Sequence, residues 1–591
     1  MKNFLKYLLA SVLGVFIASV LIFFFIVGIL SGIIATSSKP IKVAENSTLW
    51  MQLNGEIVDR KIPNPFEDLD LFGMDRPVSL GLNNILEQIN KAKSDTNIKG
   101  IYLNLMDLRT GYATTEEIRN SLKDFKKSGK FIYAYSNMMS QKAYYLASVA
   151  DSIFVNPEGG IDLRGIRAER TFFKKALDKL GIEAQVIRGK NNKFKAAVEP
   201  FLREDMSPAN KKQTEVYIGS LWKTITSSIA ESRGIPVDVL NQLADEVLIF
   251  HKAEKAVEAG LIDGLKFKDQ VIDDLKQLTS TSLSDDISAI KLPKYIKTSF
   301  PEMMVPKGDK IAVIYANGEI DPAGGDEYMI DSKKISKSLR EARRDSSVKA
   351  VVLRVNSPGG SAFGSEVILR EVKLSAATKP VIVSMGDQAA SGGYYISCGA
   401  HHIMSSPLTL TGSIGIFGII PNFGPLMNEK LGLTTDKVMT NAHSDMPTVT
   451  RRMTQFEKDL FQERIERGYQ TFITHVSEGR NMNPEAVDNI GQGRVWSGEN
   501  ALDIGLVDGY GGLEDAIELA REKAGIPTYQ LLELPQLKDP FEKFIEEWTS
   551  QIKIRILTAE MGESYQIYQN IQKFSKMNGV MARLPYELKV E

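Results

Sequence analysis

Apolar residues in this chain fall into three arrangements, and each predicts a different element. The first is continuous. From Tyr7 to Ser38 no residue carries a charge, and the stretch includes Phe23-Phe24-Phe25-Ile26-Val27. About 20 apolar residues in a helix cross a bilayer core, so this run is long enough to span it with tilt. A cleavable signal peptide has an apolar core of only about 7–15 residues before a small-x-small site. Ile33-Ile34-Ala35 offers no such site, which predicts an uncleaved signal anchor over 7–38. Lys2 and Lys6 precede the run, Lys39 and Lys42 follow it, and the bias is modest. It places the tail 1–6 in the cytoplasm and the rest of the chain outside. The second arrangement is short and β-branched. Ala350-Val351-Val352-Leu353-Arg354-Val355 ends at Asn356-Ser357-Pro358-Gly359-Gly360, and Pro380 to Met385 is similar. The third has helical spacing, as in Glu366 to Ala377 and after Ser391. Strands alternating with helices predict βαβ units around a largely parallel sheet.

The pattern occurs twice. Asn54-Gly55-Glu56-Ile57 returns as Asn317-Gly318-Glu319-Ile320. An ungapped alignment at a shift of 250 then pairs Lys99 with Lys349, Leu103 with Leu353, Glu116 with Glu366 and Tyr144-Tyr145 with Tyr394-Tyr395. Later, Gly260-Leu261-Ile262-Asp263-Gly264 meets Gly505-Leu506-Val507-Asp508-Gly509. Three blocks in one order define two copies of one domain. The expected divisions are 47–290 for the first copy and 300–530 for the second. Residues 531–591, apolar among many charges, are expected to form a helical extension.

Composition narrows the chemistry. A formal net charge of −1 leaves no basic surplus for phosphates, which argues against nucleic acid as a partner. The single cysteine, Cys398, excludes an intrachain disulfide and a Cys-cluster zinc site, and the five histidines form no His-Glu-x-x-His. Neither a metal nor an organic cofactor is expected.

The differences between the copies are informative. Ala390-Ser391-Gly392-Gly393 faces Ser140-Gln141-Lys142-Ala143, Ser357-Pro358-Gly359-Gly360 faces Asp107-Leu108-Arg109-Thr110, and Ser413 faces Leu163. These small and polar elements follow strands, where open α/β sheets place ligand crevices. A serine at a strand-to-helix junction lies among unsatisfied N–H groups, and glycine beside it admits a substrate carbonyl. The N–H groups of Gly392 and the Gly359 turn are therefore candidates for an oxyanion hole around a nucleophilic Ser391. The competing reading of Ser391 is a plain helix N-cap. A nucleophile also needs a base. His401 and His402, at the entry to the next strand, read as structural. A buried lysine can serve if its pKa falls toward neutrality. Composition cannot choose among 72 basic residues, but Lys195, in Phe194-Lys195-Ala196-Ala197-Val198-Glu199-Pro200-Phe201, has unusually apolar neighbours. The ordinary reading of such a residue is a surface lysine with a buried stem.

Lys195-Ala196-Ala197-Val198-Glu199-Pro200-Phe201, Asn356 to Gly360, Ala390 to Tyr394 and Thr411-Gly412-Ser413-Ile414-Gly415-Ile416-Phe417-Gly418, in that order, make the chain resemble the signal peptide peptidase A family in its long, duplicated, membrane-anchored form (peptidase family S49). Pro585-Tyr586-Glu587-Leu588-Lys589 is similar to the family's ending. The resemblance implies a duplicated crotonase/Clp-protease-like α/β fold. It implies that Ser391 is the nucleophile, Lys195 from the other repeat its base, and Ser413 the serine that hydrogen-bonds the lysine. Ala196 stands where the family often has serine, and Tyr395 replaces a frequent tryptophan. Neither change removes a catalytic group. At a shift of 247 Lys195 faces Ala442, so nucleophile and base survive in different copies. The implied activity is hydrolysis of remnant signal peptides and other short, unfolded apolar peptides at the inner membrane. The repeats would face the periplasm, as a homotetrameric bowl. An acyl-CoA-processing enzyme and a catalytically inactive membrane scaffold are the alternatives.

Overall fold

The computed structural model describes residues 41–61, 79–298, 308–322, 329–537 and 579–583, together with isolated positions between 6 and 21. The predicted span 7–38 therefore lies largely outside the described residues. Among the described residues no helix is long and apolar enough to cross a membrane.

Each copy is built on a mainly parallel sheet. In the first, Ile98–Asn104 is flanked by Ser47–Met51 and Phe131–Met139, with Ser152–Ile161 beyond, and Ala289–Lys291 closes the far edge. In the second, Val348–Ser357 lies between Lys310–Asn317 and Val381–Ala390, with Leu410–Gly412 next and Gln530–Leu534 on the far edge. Buried on both faces, these strands read as continuous apolar runs, as parallel sheets require. The helices keep the repeat's register. Leu82–Ser94 and Tyr112–Lys126 return as Ser332–Arg344 and Ala362–Ala376 at the shift of 250. Pro208–Arg233 returns as Gln455–Arg480 at 247.

A third sheet draws on both copies. Its order runs Met329–Asp331, Glu319–Asp321, Gly359–Ser361, Gly579–Arg583, Phe417–Asn422, Glu183–Arg188. The last pair is antiparallel, with Glu183 opposite Asn422 and Arg188 opposite Phe417. A first-copy strand is thus stitched to a second-copy strand just upstream of Lys195. Leu177, Ile182, Ala197 and Val198 pack with Phe417 and Ile419 beneath this seam. The helical extension expected over 531–591 falls mostly on 538–578 and 584–591, which lie outside the described residues; the described parts include the strands Gln530–Leu534 and Gly579–Arg583. Both strands pair with residues far away in the chain, which local periodicity cannot register.

A buried charge cluster joins the copies elsewhere. Arg354, fully buried in the second copy, reaches Asp59 and Glu117 of the first, each at 2.6 Å. Asn356 Nδ2 donates to the other oxygen of Asp59 at 2.9 Å, and Leu513 N–H to Glu117 at 2.8 Å. Burial works against the Arg354 charge, but the two carboxylates outweigh it and hold its pKa above the ordinary value. Burial also pushes Glu117 up, against the pull of Arg354.

Candidate active site

Val381–Ala390 and Leu410–Gly412 are parallel neighbours, with Ala390 opposite Gly412. The residues that leave them, Ser391 and Ser413, therefore emerge side by side, and Ser391 N–H donates to Gly412 carbonyl at 2.8 Å. Ser391 opens the short helix Gly392–Ser397, and its side chain makes no capping hydrogen bond. The N-cap reading does not describe it. Its backbone stands at φ 56°, ψ −113°, a conformation L-residues rarely adopt. Strain of this kind, at a fully buried serine, leaves the hydroxyl aimed by the fold rather than by local preference.

Lys195 arrives from the first copy, on the turn that follows Glu183–Arg188. Its amine lies 2.7 Å from Ser391 Oγ, 2.9 Å from Ser413 Oγ and 3.0 Å from Ser413 carbonyl oxygen. Its side chain is 0% exposed, and burial alone depresses its pKa well below the ordinary lysine value. Both Ser413 oxygens and Ser391 Oγ thus lie within hydrogen-bond reach of the one amine.

Residues that sequence reasoning passed over hold the lysine there. Phe194 N–H donates to Gln492 carbonyl at 2.9 Å, and Gln213 Nε2 to Phe194 carbonyl at 3.0 Å. Asn192 Nδ2 donates to Ile416 carbonyl at 2.7 Å. Gly493, at φ +79°, lies against the lysine backbone, and a Cβ there would stand 2.5 Å from Lys195 Cβ. Ser413 N–H is fixed by Arg494 carbonyl at 2.6 Å. The Gly-Gln-Gly-Arg sequence at 491–494 is the only signal of this clamp, and it reads as an ordinary turn.

The predicted oxyanion glycines meet over one point. A Cβ on Gly359, at φ +97°, would lie 2.6 Å from Gly392 N. The Gly359 N–H, however, donates to Ser357 Oγ at 3.1 Å, so in this state it is engaged. What Gly359 supplies is room. His401 and His402 are not at the site. Val381 N–H donates to His401 Nδ1 at 3.1 Å, at the other end of the strand that delivers Ser391.

A buried serine beside a dehydrated lysine, between a Gly-Gly turn and a helix N-terminus, defines a serine hydrolase built for acyl transfer. The sequence profile of Peptidase family S49 matches this chain twice, over residues 124–282 and 373–527. Protease 4 of Salmonella typhi is 37% identical over 533 residues, 87% of this chain and 84% of its own length. Protease 4 of Haemophilus influenzae is 35% identical over 523 residues, 86% of this chain and 83% of its own. The chloroplastic serine protease SPPA of Arabidopsis thaliana is 32% identical over 505 residues, 84% of this chain and 72% of its own. The chain belongs to peptidase family S49 and is a serine peptidase. That membership decides against the acyl-CoA and inactive-scaffold alternatives.

Proposed function

We propose that Ser391 and Lys195 form a catalytic dyad shared between the two repeats and that the chain degrades remnant signal peptides and other short, unfolded apolar peptides. The observation that carries this reading is the 2.7 Å approach of a fully buried lysine amine to Ser391 Oγ. Neutral Lys195 takes the Ser391 proton as Oγ attacks the scissile carbonyl. Ser413 positions the amine. The Gly392 N–H stabilises the developing oxyanion, in the space left by Gly359; such a donor is worth about 10²–10³ in rate. Protonated Lys195 then gives its proton to the leaving amine, and water resolves the acyl-enzyme.

The uncharged run 7–38 is proposed as a single-pass anchor in the inner membrane, with the repeats on the periplasmic side. Anchoring supports the substrate class, since a peptidase held at the bilayer meets peptides left there. A homotetramer, with its sites facing an inner cavity, is proposed as the device that keeps folded proteins out. The test of the dyad is labelling. A short apolar peptide carrying a serine-reactive electrophile should modify Ser391, located by tandem mass spectrometry, in wild type and not in Lys195→Ala. Modification at another serine would overturn the assignment.

A further inference from the structure

The strand that delivers Ser391 is bulged just before it reaches the serine. Val351 to Val355 pair one for one with Val381 to Met385, and the ladder resumes with Ser357 opposite Ala389. Gly386, Asp387 and Gln388 therefore stand opposite the single residue Asn356. A bulge bends its strand and turns the side chains that follow, so whatever fixes this one also aims Ser391. Two braces fix it, and each has its other half in the first copy. Asn356 Oδ1 accepts the Gln388 N–H at 3.2 Å, while Asn356 Nδ2 donates to Asp59 at 2.9 Å. The same amide lies against Gly386, where a Cβ would stand 2.8 Å from Asn356 Cγ. The Asp387 carboxylate accepts the Thr114 N–H at 2.9 Å and the Thr114 hydroxyl at 2.8 Å. Thr114 lies in the first turn of the helix Tyr112–Lys126, whose N-cap is Gly111 and offers no side chain. Asp387 thus caps that helix from the other copy, at the end where the dipole favours a carboxylate. Gly111 leaves the room for it: a Cβ there would stand 2.1 Å from Asp387 Oδ1.

The repeat shows that these braces diverged together with the nucleophile. At the shift of 250 Asn356 faces Met106, which is exposed, and Asp387 faces Asn137. Thr114 faces Gly364, and in the alignment that pairs Asn54 with Asn317, Asp59 faces Pro322. Gly111 faces Ser361, which caps its own helix by accepting the Gly364 N–H at 3.2 Å. The first copy has given up its own cap and takes one from the strand that carries the nucleophile. We propose that Asp387 and Asn356 are positioning residues for Ser391, held by Thr114 and Asp59, so that the first copy sets the aim of the nucleophile as well as supplying its base. This rests on the dyad reading above. Misplacing a reacting group by about 1 Å can cost about 10²-fold in rate, and the loss falls on turnover because the groups that bind the peptide stay in place.

The experiment uses the full chain, a short apolar reporter peptide, and the serine-reactive peptide taken to completion to count competent Ser391 sites. Asp387→Ala and Asn356→Ala should each lower kcat per titrated site about tenfold or more and leave KM within about twofold. Thr114→Val keeps the N–H but loses the hydroxyl and should give a smaller loss. Thr114→Ser keeps both and should turn over like wild type. Gly111→Ala, a change confined to the first copy, should reproduce the Asp387→Ala defect by pushing the carboxylate away. Braces that only hold the fold would lower the melting temperature and the number of titratable sites, with turnover per site unchanged. That result in Thr114→Val and Gly111→Ala overturns the proposal, and these milder changes decide the matter should the Asp387 and Asn356 variants not fold. The two readings fail separately. If Lys195→Ala keeps wild-type turnover, the dyad reading falls whatever the braces do. If Lys195→Ala is inactive and the brace variants match wild type per site, the dyad stands and the positioning role is lost.

Discussion

Ser391 and Lys195 sit under constraints that stability alone would not choose. At φ 56° Ser391 holds a conformation natural to glycine, and strain of this kind is worth about 1–3 kcal/mol. Ser391→Gly should therefore raise thermal stability while abolishing peptide hydrolysis, measured by calorimetry beside a reporter-peptide assay; a fall in stability would show that no strain is stored there. The lysine makes a pH prediction. Its folded pKa is depressed by burial and its unfolded value is near 10.5, so between the two the unfolded chain binds more protons. Stability relative to Lys195→Met should therefore rise with pH across that window and level off above 10.5. Activity has the same sign. As the proposed base, Lys195 would work in its neutral form, so kcat/KM should climb through the depressed lysine pKa and stay high in alkali. Lys195→Arg, unable to lose a proton, should be inactive at every pH. Ser391 and Ser413 could be singled out in the sequence because their copies at Gln141 and Leu163 lack a hydroxyl. The depressed lysine could not. Its apolar neighbours are equally those of a lysine lying along the surface, and only the seam between copies makes it fully buried.

The elements that repeat were legible for a physical reason: helices and buried strands write their period locally, so Ala362–Ala376 and its twin Tyr112–Lys126 carry the same spacing. Elements defined by distant pairing were not. Gly579–Arg583 is a strand only because Gly359–Ser361 and Phe417–Asn422 bracket it, and Arg354 reads as a charged residue interrupting an apolar run until Asp59 and Glu117 arrive from the other copy. That cluster should behave as a unit. Arg354→Ala strands two buried carboxylates and should cost about 3–5 kcal/mol in denaturant unfolding. Removing Asp59 and Glu117 as well should recover part of the loss, whereas simple additivity would place the charges outside one network. The turn at Gly493 offers a milder probe. Gly493→Ala would force a methyl to within 2.5 Å of Lys195 Cβ at a positive φ, so it should lower kcat by displacing the amine and leave KM near wild type.

At the scale of the whole molecule, duplication lets each copy lose what the other keeps. The second copy retains Ser391 and Ser413, the first retains Lys195, and beside the shared sheet the Lys195 amine lies 2.7 Å from Ser391 Oγ and 2.9 Å from Ser413 Oγ. With the run 7–38 as anchor, protease added outside intact spheroplasts should digest both repeats; their protection would reverse the proposed orientation. The central claim is that one site is made by two copies, and the most direct test is a kinetic double-mutant cycle. Peptide hydrolysis is measured for wild type, Ser391→Ala, Lys195→Ala and the double variant, with folding checked for each. Residues that act as one unit do not add, so each single variant should lose about 10⁴-fold or more in kcat/KM and the double should be no worse than the weaker single. Substantial activity in Lys195→Ala, or losses that multiply in the double variant, would contradict a dyad shared between the repeats.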